Sequence, residues 1–358
     1  MTTQPSRSHK ILVVGAGALG VVTAVRLALA GHAVTVAVRS PESARTLRAQ
    51  GLRAEAPDGS IQHAKMPVIS SPDELGEPVD LLIVATKAAT ALAVTRRWIA
   101  ALAEDGVFVP YQNGLLGDDM ARIAGDRLVE CAVYYGATLL GPGHSRLTGQ
   151  GHLHLGPWPR GEAGPGTRTA RAASLLAAVV PTYTYTDMLS VKWNKLIANS
   201  AMTSLGVLSG FMMRDMMRHA VIRRAFLEVG AESLAIANAA GARAMSLGGT
   251  HVGRLLGMPR PLAELALRLA TLRQGGYKSS SQQSLERGEP TEVDYLNGRI
   301  VEEADTRNLA APWNAEIVSV VHAIEAGRMT PGLATVRELA SRVRSRAQNA
   351  KLARDVAA

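Results

Sequence analysis

The stretch that most constrains the fold of this chain runs from Lys10 to Gly31. Lys10-Ile11-Leu12-Val13-Val14 is a short, β-branched apolar run of the kind buried in a parallel sheet. It passes directly into Gly15-Ala16-Gly17-Ala18-Leu19-Gly20 and then into an apolar helix, Val21 to Ala30, closed by Gly31. Strand, glycine turn and helix in that order are what a dinucleotide pyrophosphate requires. Gly15 permits the tight turn, Gly17 lets the backbone approach the phosphates, and Gly20 lets helix and strand pack closely.

The next segments continue an α/β pattern. Ala33 to Val38 reads as the second strand, and its end is where the adenosine ribose belongs in such a fold. An acidic residue there would accept the 2′-hydroxyl of NAD, whereas this chain has Arg39 followed by Ser40. A guanidinium matches a 2′-phosphate in charge and geometry, so NADPH is expected over NADH. The alternative is an arginine that only ends a surface strand. Asp80 to Lys87 is a further core strand with Lys87 at its carboxyl end, where cofactor contact is expected. Gly106 to Pro110 leads into Tyr111-Gln112-Asn113-Gly114, and Asn113 would offer both a donor and an acceptor near the nicotinamide. Leu128 to Leu140 and His152 to Leu155 read as later strands joined by the glycine-rich Gly141 to Gly151, and Thr167 to Val180 reads as a helix.

The alternation ends after Thr182 to Thr186, which sets a domain boundary near residue 188. From Ser190 the pattern is helical, with candidates at Val191 to Leu208, Met212 to Ala240 and Leu262 to Arg273. The first places Lys195, Asn199 and Thr203 four residues apart along one face, opposite Leu196, Ile197, Ala201, Met202 and Leu205. A lysine with amide and hydroxyl neighbours on an apolar helix is a candidate site, set against a snorkelling lysine on a half-exposed helix. Met212, Met213, Met216 and Met217 are spaced as a core stripe. Tyr277 to Gly288 reads as a short helix started by serine, whose N–H groups and hydroxyls could take a substrate carboxylate or could simply cap the helix. Pro290 to Gly298 opens another helix with Val293, Leu296 and Ile300 on its buried side. Glu292 in its first turn is a dipole partner or a cleft residue facing Lys195.

Composition narrows the function classes. The 358 residues suffice for two cores, and no apolar run approaches the roughly 20 residues of a membrane span. The polar start Met1 to Lys10 lacks a signal peptide's apolar region, so a cytoplasmic protein without membrane partners is expected. Cys131, the single cysteine, sits in a strand-like run and reads as an inert buried thiol. His152 and His154 share a strand face, yet no third ligand is in view, and no metal is expected. Of the net charge of +9, +4 comes from Arg337 to Ala358, where six basic residues stand against Glu338 and Asp355. Residues 336–358 therefore read as a basic helical or frayed tail, and with aromatics at 4% no nucleic-acid surface is expected. The long helices after residue 190 are compatible with a homodimer.

In their order these motifs resemble the ketopantoate reductase family, the NADPH-using 2-dehydropantoate 2-reductases. The resemblance runs from about Lys10 to about Gly327. It rests on Gly15 to Gly20, Lys87, Gln112-Asn113-Gly114, Lys195 with Asn199, and Ser279-Ser280 followed by Thr291 to Gly298. Ala311-Pro312-Trp313-Asn314 leading to Glu325 is similar to the family's C-terminal segment. The resemblance implies a Rossmann-type NADP-binding domain over residues 1–188. An all-α domain over residues 189–335, similar to the C-terminal domain of 6-phosphogluconate dehydrogenase, would follow it. By the same resemblance Lys195 corresponds to the catalytic lysine that protonates the ketone oxygen, and Glu292 to the acid that holds the substrate hydroxyl. Asn113, Asn199 and Ser280 correspond to contacts with a small 2-keto acid, and Lys87 and Arg39 to cofactor contacts.

Three departures fall on the substrate side. Thr203 stands where a second asparagine is common, Met212 and Met213 where an Asn-Gly pair is common, and Ser281 to Ser284 differ from the usual Met-x-Gln-Asp. The expected activity is NADPH-dependent reduction of ketopantoate to pantoate. A relative acting on another 2-keto acid is the nearest alternative, and a non-catalytic NADP-binding sensor is the alternative from a different class.

Overall fold

The structure, a computed structural model, describes residues 8–149, 151–247, 250–270 and 278–357. The first seven residues, the expected helix end at 271–273 and Tyr277 lie outside these. The chain forms two compact units, Met1–Val191 and Lys192–Ala358, divided inside the helix Met188–Ser209.

The first unit is built on a five-stranded sheet in the order Val68–Ile69, Ala33–Ala37, Lys10–Val14, Val79–Val84, Leu102–Pro110. All neighbours pair in parallel. Ile11, Leu12, Val13, Leu81, Leu82 and Ile83 are fully buried, so successive side chains on both faces are covered, as parallel sheets require. Lys10–Val14 lies centrally, with the second strand on one side and Val79–Val84 on the other. The strand order reverses there, which marks the crevice where ligands of open α/β sheets gather. Because every strand points the same way, Gly15 to Gly20, Arg39, Ala85 to Lys87 and Gln112-Asn113 all emerge along one edge.

Two smaller sheets complete this unit and correct the expected strands. Leu128 to Leu140 is two strands, Glu130–Val133 and Ala137–Gly141, which belong to different sheets. Between them a Cβ at Gly136 would stand 2.4 Å from the Thr148 hydroxyl, so any larger residue there would have to displace that side chain. Gly141 to Gly151 is not merely a connection, for it holds the strand His144–Leu147. That strand pairs antiparallel with Ala137–Gly141 through a Pro142-Gly143 turn, which Gly143 closes at φ +67°. The expected helix Thr167 to Val180 is the shorter Arg168–Leu176, with Thr167 as its cap.

The second unit is almost wholly helical: Met188–Ser209 enters it, followed by Ala220–Ala239, Arg260–Ala270, Ser280–Glu286, Arg299–Asp305, Pro312–Glu325 and Leu333–Ala357. Its core gathers Leu205, Leu208, Phe226, Val229, Ile317 and Val320 with Met213, Met216 and Met217. The expected continuous helix Met212 to Ala240 is broken into the single turn Met213–Met216 and Ala220–Ala239. That break lets three methionines point inward, while Met212 stays 40% exposed. Leu333–Ala357 begins as a core helix: Val336, Leu339, Ala340 and Val343 form one buried stripe. Arg342 and Arg346 meet the fully buried Glu316 at 3.2 and 2.6 Å, so these basic residues fasten the helix instead of fraying as a tail. No helix among the described residues is long and apolar enough to cross a membrane.

Candidate functional site

The candidate residues fall into two groups, one in each unit. In the first unit the three glycines do three separate things. Gly15 sits at φ +109°, in a conformation that side chains resist, with its own N–H bonded to the Ala37 carbonyl at 2.8 Å. A Cβ on Gly20 would lie 1.9 Å from the Gly15 carbonyl oxygen, so helix Ala18–Leu29 touches the strand end through hydrogen alone. A Cβ on Gly17, in contrast, would meet only the Ala85 carbonyl oxygen, at 4.0 Å. The packing of this unit does not use the space over Gly17. Gly17 is also the helix N-cap, and no side chain caps it. The first N–H groups of Ala18–Leu29 thus face a place open to an anion, and the backbone fits a pyrophosphate.

The other members of this group lie on the same edge. Arg39 is exposed and forms no ion pair among the described residues, and Ser40 beside it caps the helix Pro41–Gln50 by accepting from the Ser43 N–H. Lys87 is the exposed N-cap residue of Ala88–Trp98. Gln112, next to Asn113 in the sequence, is the buried support of this edge. Its amide donates to the carbonyls of Val84 at 3.0 Å and Thr86 at 2.7 Å, tying two adjacent strand ends together. Asn113 follows, half-buried, before Gly114 at φ +82°.

In the second unit the helix Met188–Ser209 carries the site. From Ser190 to Ser209 every residue is buried except Lys195, Ala198, Asn199 and Met202. Their spacing is that of a single stripe. Lys195 and Asn199 thus share an open face, as their four-residue separation implied. Thr203 does not share it, being 8% exposed. The reason is geometric: each four-residue step turns about 40° around the helix, so two steps carry Thr203 about 80° from Lys195. Met202, seven residues on, returns to within about 20° and takes the place expected for Thr203. The open face is therefore polar at Lys195 and Asn199 and apolar at Ala198 and Met202.

The serine segment meets the far end of this helix. Ser279 is the cap, its hydroxyl accepting from the Gln282 N–H at 3.2 Å, while the Gln282 side chain accepts from the Ser279 N–H at 2.8 Å. Ser279 therefore takes the capping role, and Ser280 remains exposed. Gln282 also donates to the carbonyls of Gly206 at 3.0 Å and Phe211 at 2.8 Å, and the Ser279 hydroxyl donates to the Thr203 carbonyl at 3.4 Å. Gln282, at the position the family pattern leaves open, is thus the fastening between two candidate segments.

Glu292 precedes the five-residue π-helical turn Asp294–Gly298, and Val293, Leu296 and Ile300 are buried beneath it. Such single π turns commonly mark functional sites. Two side chains, the half-buried Glu325 and the buried Asn297, hold this segment. The Glu325 carboxylate accepts from the Thr291 N–H at 2.7 Å, immediately before Glu292. Asn297 bonds to the helix that carries Lys195, donating to the Ser200 carbonyl at 3.1 Å and accepting from the Ser204 hydroxyl. Both residues lie in segments that resemble the family, but the contacts themselves, which join segments far apart in the chain, have no local signal.

The other residues considered lie on or beside the strands Glu130–Val133 and Leu153–Gly156. His152 and His154 pack against each other, tilted by 31° with centroids 4.6 Å apart, and Tyr134, Tyr183 and Tyr185 surround them. Burial holds His152 below the usual imidazole value, favouring the neutral ring. Cys131 is fully buried in the strand Glu130–Val133.

Comparison with known proteins matches both units. The family model described as ketopantoate reductase PanE/ApbA covers residues 11–160, and its C-terminal counterpart covers residues 187–325. The 2-dehydropantoate 2-reductase of Pyrococcus abyssi is 26% identical over 318 residues, 88% of this chain and 98% of that protein. A PanE/ApbA family ketopantoate reductase from Ralstonia eutropha superposes with a TM-score of 0.74 at 27% identity, over 89% of this chain and 99% of that one. D-mandelate dehydrogenase, solved with NADH and anilino(oxo)acetate, shares the fold at a TM-score of 0.75 and 21% identity, over 89% and 99% of the two chains.

Proposed function

The chain belongs to the ketopantoate reductase family of dinucleotide-binding oxidoreductases, and on that premise we propose that it reduces 2-dehydropantoate to pantoate with NADPH, Lys195 serving as general acid. The observation that carries this reading is the single open stripe on an otherwise buried helix, with Lys195 and Asn199 as its polar members. Burying sixteen of twenty residues of a helix while leaving a lysine accessible is what a proton donor requires.

The reduced nicotinamide supplies the hydride. As the substrate's carbonyl carbon becomes tetrahedral, its oxygen gains alkoxide character. The Lys195 ammonium stabilises that charge and transfers a proton to the oxygen, leaving a neutral amine and an alcohol. Glu292 holds the substrate hydroxyl and helps to place the lysine. Asn199 and Asn113 hydrogen-bond the substrate, and Ser280, exposed beside the Ser279 cap, takes the carboxylate. In the first unit Arg39 and Lys87 bind the dinucleotide, Arg39 through the 2′-phosphate, which selects NADPH.

Purified protein mixed with NADPH and ketopantoate should oxidise the cofactor in proportion to the keto acid. Far higher kcat/KM with another branched or aromatic 2-keto acid would replace pantoate synthesis by the second reading. That second reading has its own support. Thr203 is turned away from the open stripe and Met202 borders it, so the face is less polar than two asparagines would make it. D-mandelate dehydrogenase, with the same fold, was solved with NADH and anilino(oxo)acetate, so the fold by itself dictates neither the acid nor the cofactor's phosphate. Tight NADPH binding without turnover of any 2-keto acid would leave a sensor.

A further inference from the structure

The second unit contains a chain of buried polar side chains that the reaction does not use directly. It begins at Glu232 on the helix Ala220–Ala239. One carboxylate oxygen accepts from the Asn314 backbone N–H at 2.9 Å and from the Asn314 side-chain amide at 2.8 Å, and the other accepts from the Trp313 N–H at 2.9 Å. Glu232 therefore caps the helix Pro312–Glu325 with a charge from a different helix. The Asn314 amide oxygen then accepts from Asn297 at 2.9 Å. Asn297 also donates to the Ser200 carbonyl at 3.1 Å, and its own oxygen accepts from the Ser204 hydroxyl. Asn297 and Asn314 are both 0% exposed.

The direction of every bond follows from the first group. An ionised carboxylate only accepts, so the Asn314 amide must turn its NH2 toward Glu232 and its oxygen toward Asn297. Asn297 must then present its NH2 to Asn314 and to the Ser200 carbonyl, which leaves its oxygen for Ser204. A flipped Asn297 would set its oxygen against two acceptors, so its orientation is unique. Ser200 lies five residues beyond Lys195, and Asn297 five residues beyond Glu292. Asn297, which hydrogen-bonds from the Glu292 segment to the Lys195 helix, is thus fixed by a carboxylate two links away.

We propose that Asn297, oriented by Glu232 through Asn314, is a positioning residue that holds the Lys195 helix and the Glu292 segment in one register. The proposal rests on the assignment of Lys195 and Glu292 given above. A loss of register moves two reacting groups relative to each other, and catalysis is steep in such displacements. Dinucleotide affinity, set in the first unit, does not depend on it.

The test is Asn297→Asp, nearly isosteric but with two donors removed, measured beside Ser204→Ala, which deletes only the hydroxyl donor. Asn297→Asp should lower kcat about 10- to 100-fold, the scale of a misplaced catalytic group. NADPH affinity measured by fluorescence titration should stay within about twofold, an effect well under 1.4 kcal/mol. Ser204→Ala should lower kcat several-fold in the same direction and carries the test if Asn297→Asp does not fold. In a Lys195→Ala background either change should have almost no further effect on kcat, because the residue acts through the lysine. Unchanged kcat in a folded Asn297→Asp protein, or in Ser204→Ala where that variant carries the test, overturns the proposal. So does a full additional loss on top of Lys195→Ala. If Lys195→Ala itself keeps wild-type kcat, the reading of the site fails instead, which separates the two.

Discussion

The two units meet the problem of holding a ligand by opposite means. In the first, the candidate site is made of backbone: a turn at Gly15, an open place above Gly17 and a helix start without a side-chain cap. In the second it is made of side chains on one helix stripe, held by amides and carboxylates from distant segments. A backbone site depends on what residues lack, whereas a side-chain site depends on what other side chains impose. Substitutions should therefore separate the two halves by observable: affinity for the dinucleotide on one side, kcat on the other.

The sharpest break is expected at Lys195→Ala. Losing a general acid should lower kcat by about 10²- to 10⁴-fold, with NADPH titration unchanged. A variant that lost NADPH binding as well would show that the halves are not separable. Arg39→Asp should do the converse, moving the ratio of kcat/KM for NADPH over NADH toward NADH by roughly 10- to 100-fold. That is the scale of charge-assisted hydrogen bonds lost to a phosphate. An unchanged ratio would make Arg39 a surface residue.

The glycines resolve the first unit further. Gly17→Ala adds a methyl where the nearest atom outside the turn lies at 4.0 Å, with φ −76° and ψ −174° acceptable to alanine. Tm should hold while the Kd for NADPH rises, by about tenfold if the loss is 1.4 kcal/mol. Gly20→Ala adds a methyl 1.9 Å from a backbone oxygen, so the turn must move and Tm itself should fall. Overpacking of this kind costs about 1–3 kcal/mol. Equal effects of the two substitutions on Tm would dissolve the distinction drawn between these glycines.

The same contrast explains what the sequence disclosed. The parallel sheet and the glycine turn were legible because strand, turn and helix are contiguous and each glycine's spacing has a steric cause. The helix face with Lys195 and Asn199 was legible from its period, but Thr203 was misplaced because a four-residue repeat drifts around the helix. The support of the second half was legible only as motif membership: Asn297 and Asn314 stand in segments that resemble the family, but their bonds, and Glu232 altogether, were not. Asn297, Asn314 and Glu232 lie 17 and 82 residues apart along the chain, and no local pattern marks an amide that bonds across such distances. Gln282 illustrates the same limit, since it stands at a position the local pattern leaves open, whereas in the fold it bonds two carbonyls 71 and 76 residues away.

The smallest predicted effect compares one carboxylate from each unit through pH. Asp187 in the first unit is pushed up by burial. The Ser190 N–H at 3.0 Å and hydroxyl at 2.8 Å, with Arg160 at 3.0 Å, outweigh that and hold it below the usual carboxylate value. Glu232 in the second unit is also pushed up by burial, and the donations from Asn314 and Trp313 do not overcome it, Glu228 adding to the rise. A depressed carboxylate binds fewer protons folded than unfolded, so its stabilisation is present above the unfolded pKa and is lost as pH falls through the folded one. A raised carboxylate binds more protons folded than unfolded, so stability falls as pH climbs from the unfolded value of 4.5 through the raised folded one. Melting curves from pH 3 to pH 7 should then show opposite differences against wild type. Asp187→Asn should narrow its Tm deficit as pH drops below the ordinary carboxylate range. Glu232→Gln should narrow its deficit as pH rises above 4.5. Parallel differences for the two variants would mean that Glu232 is as well paired as Asp187, and that the polar chain of the second unit carries its charge without strain.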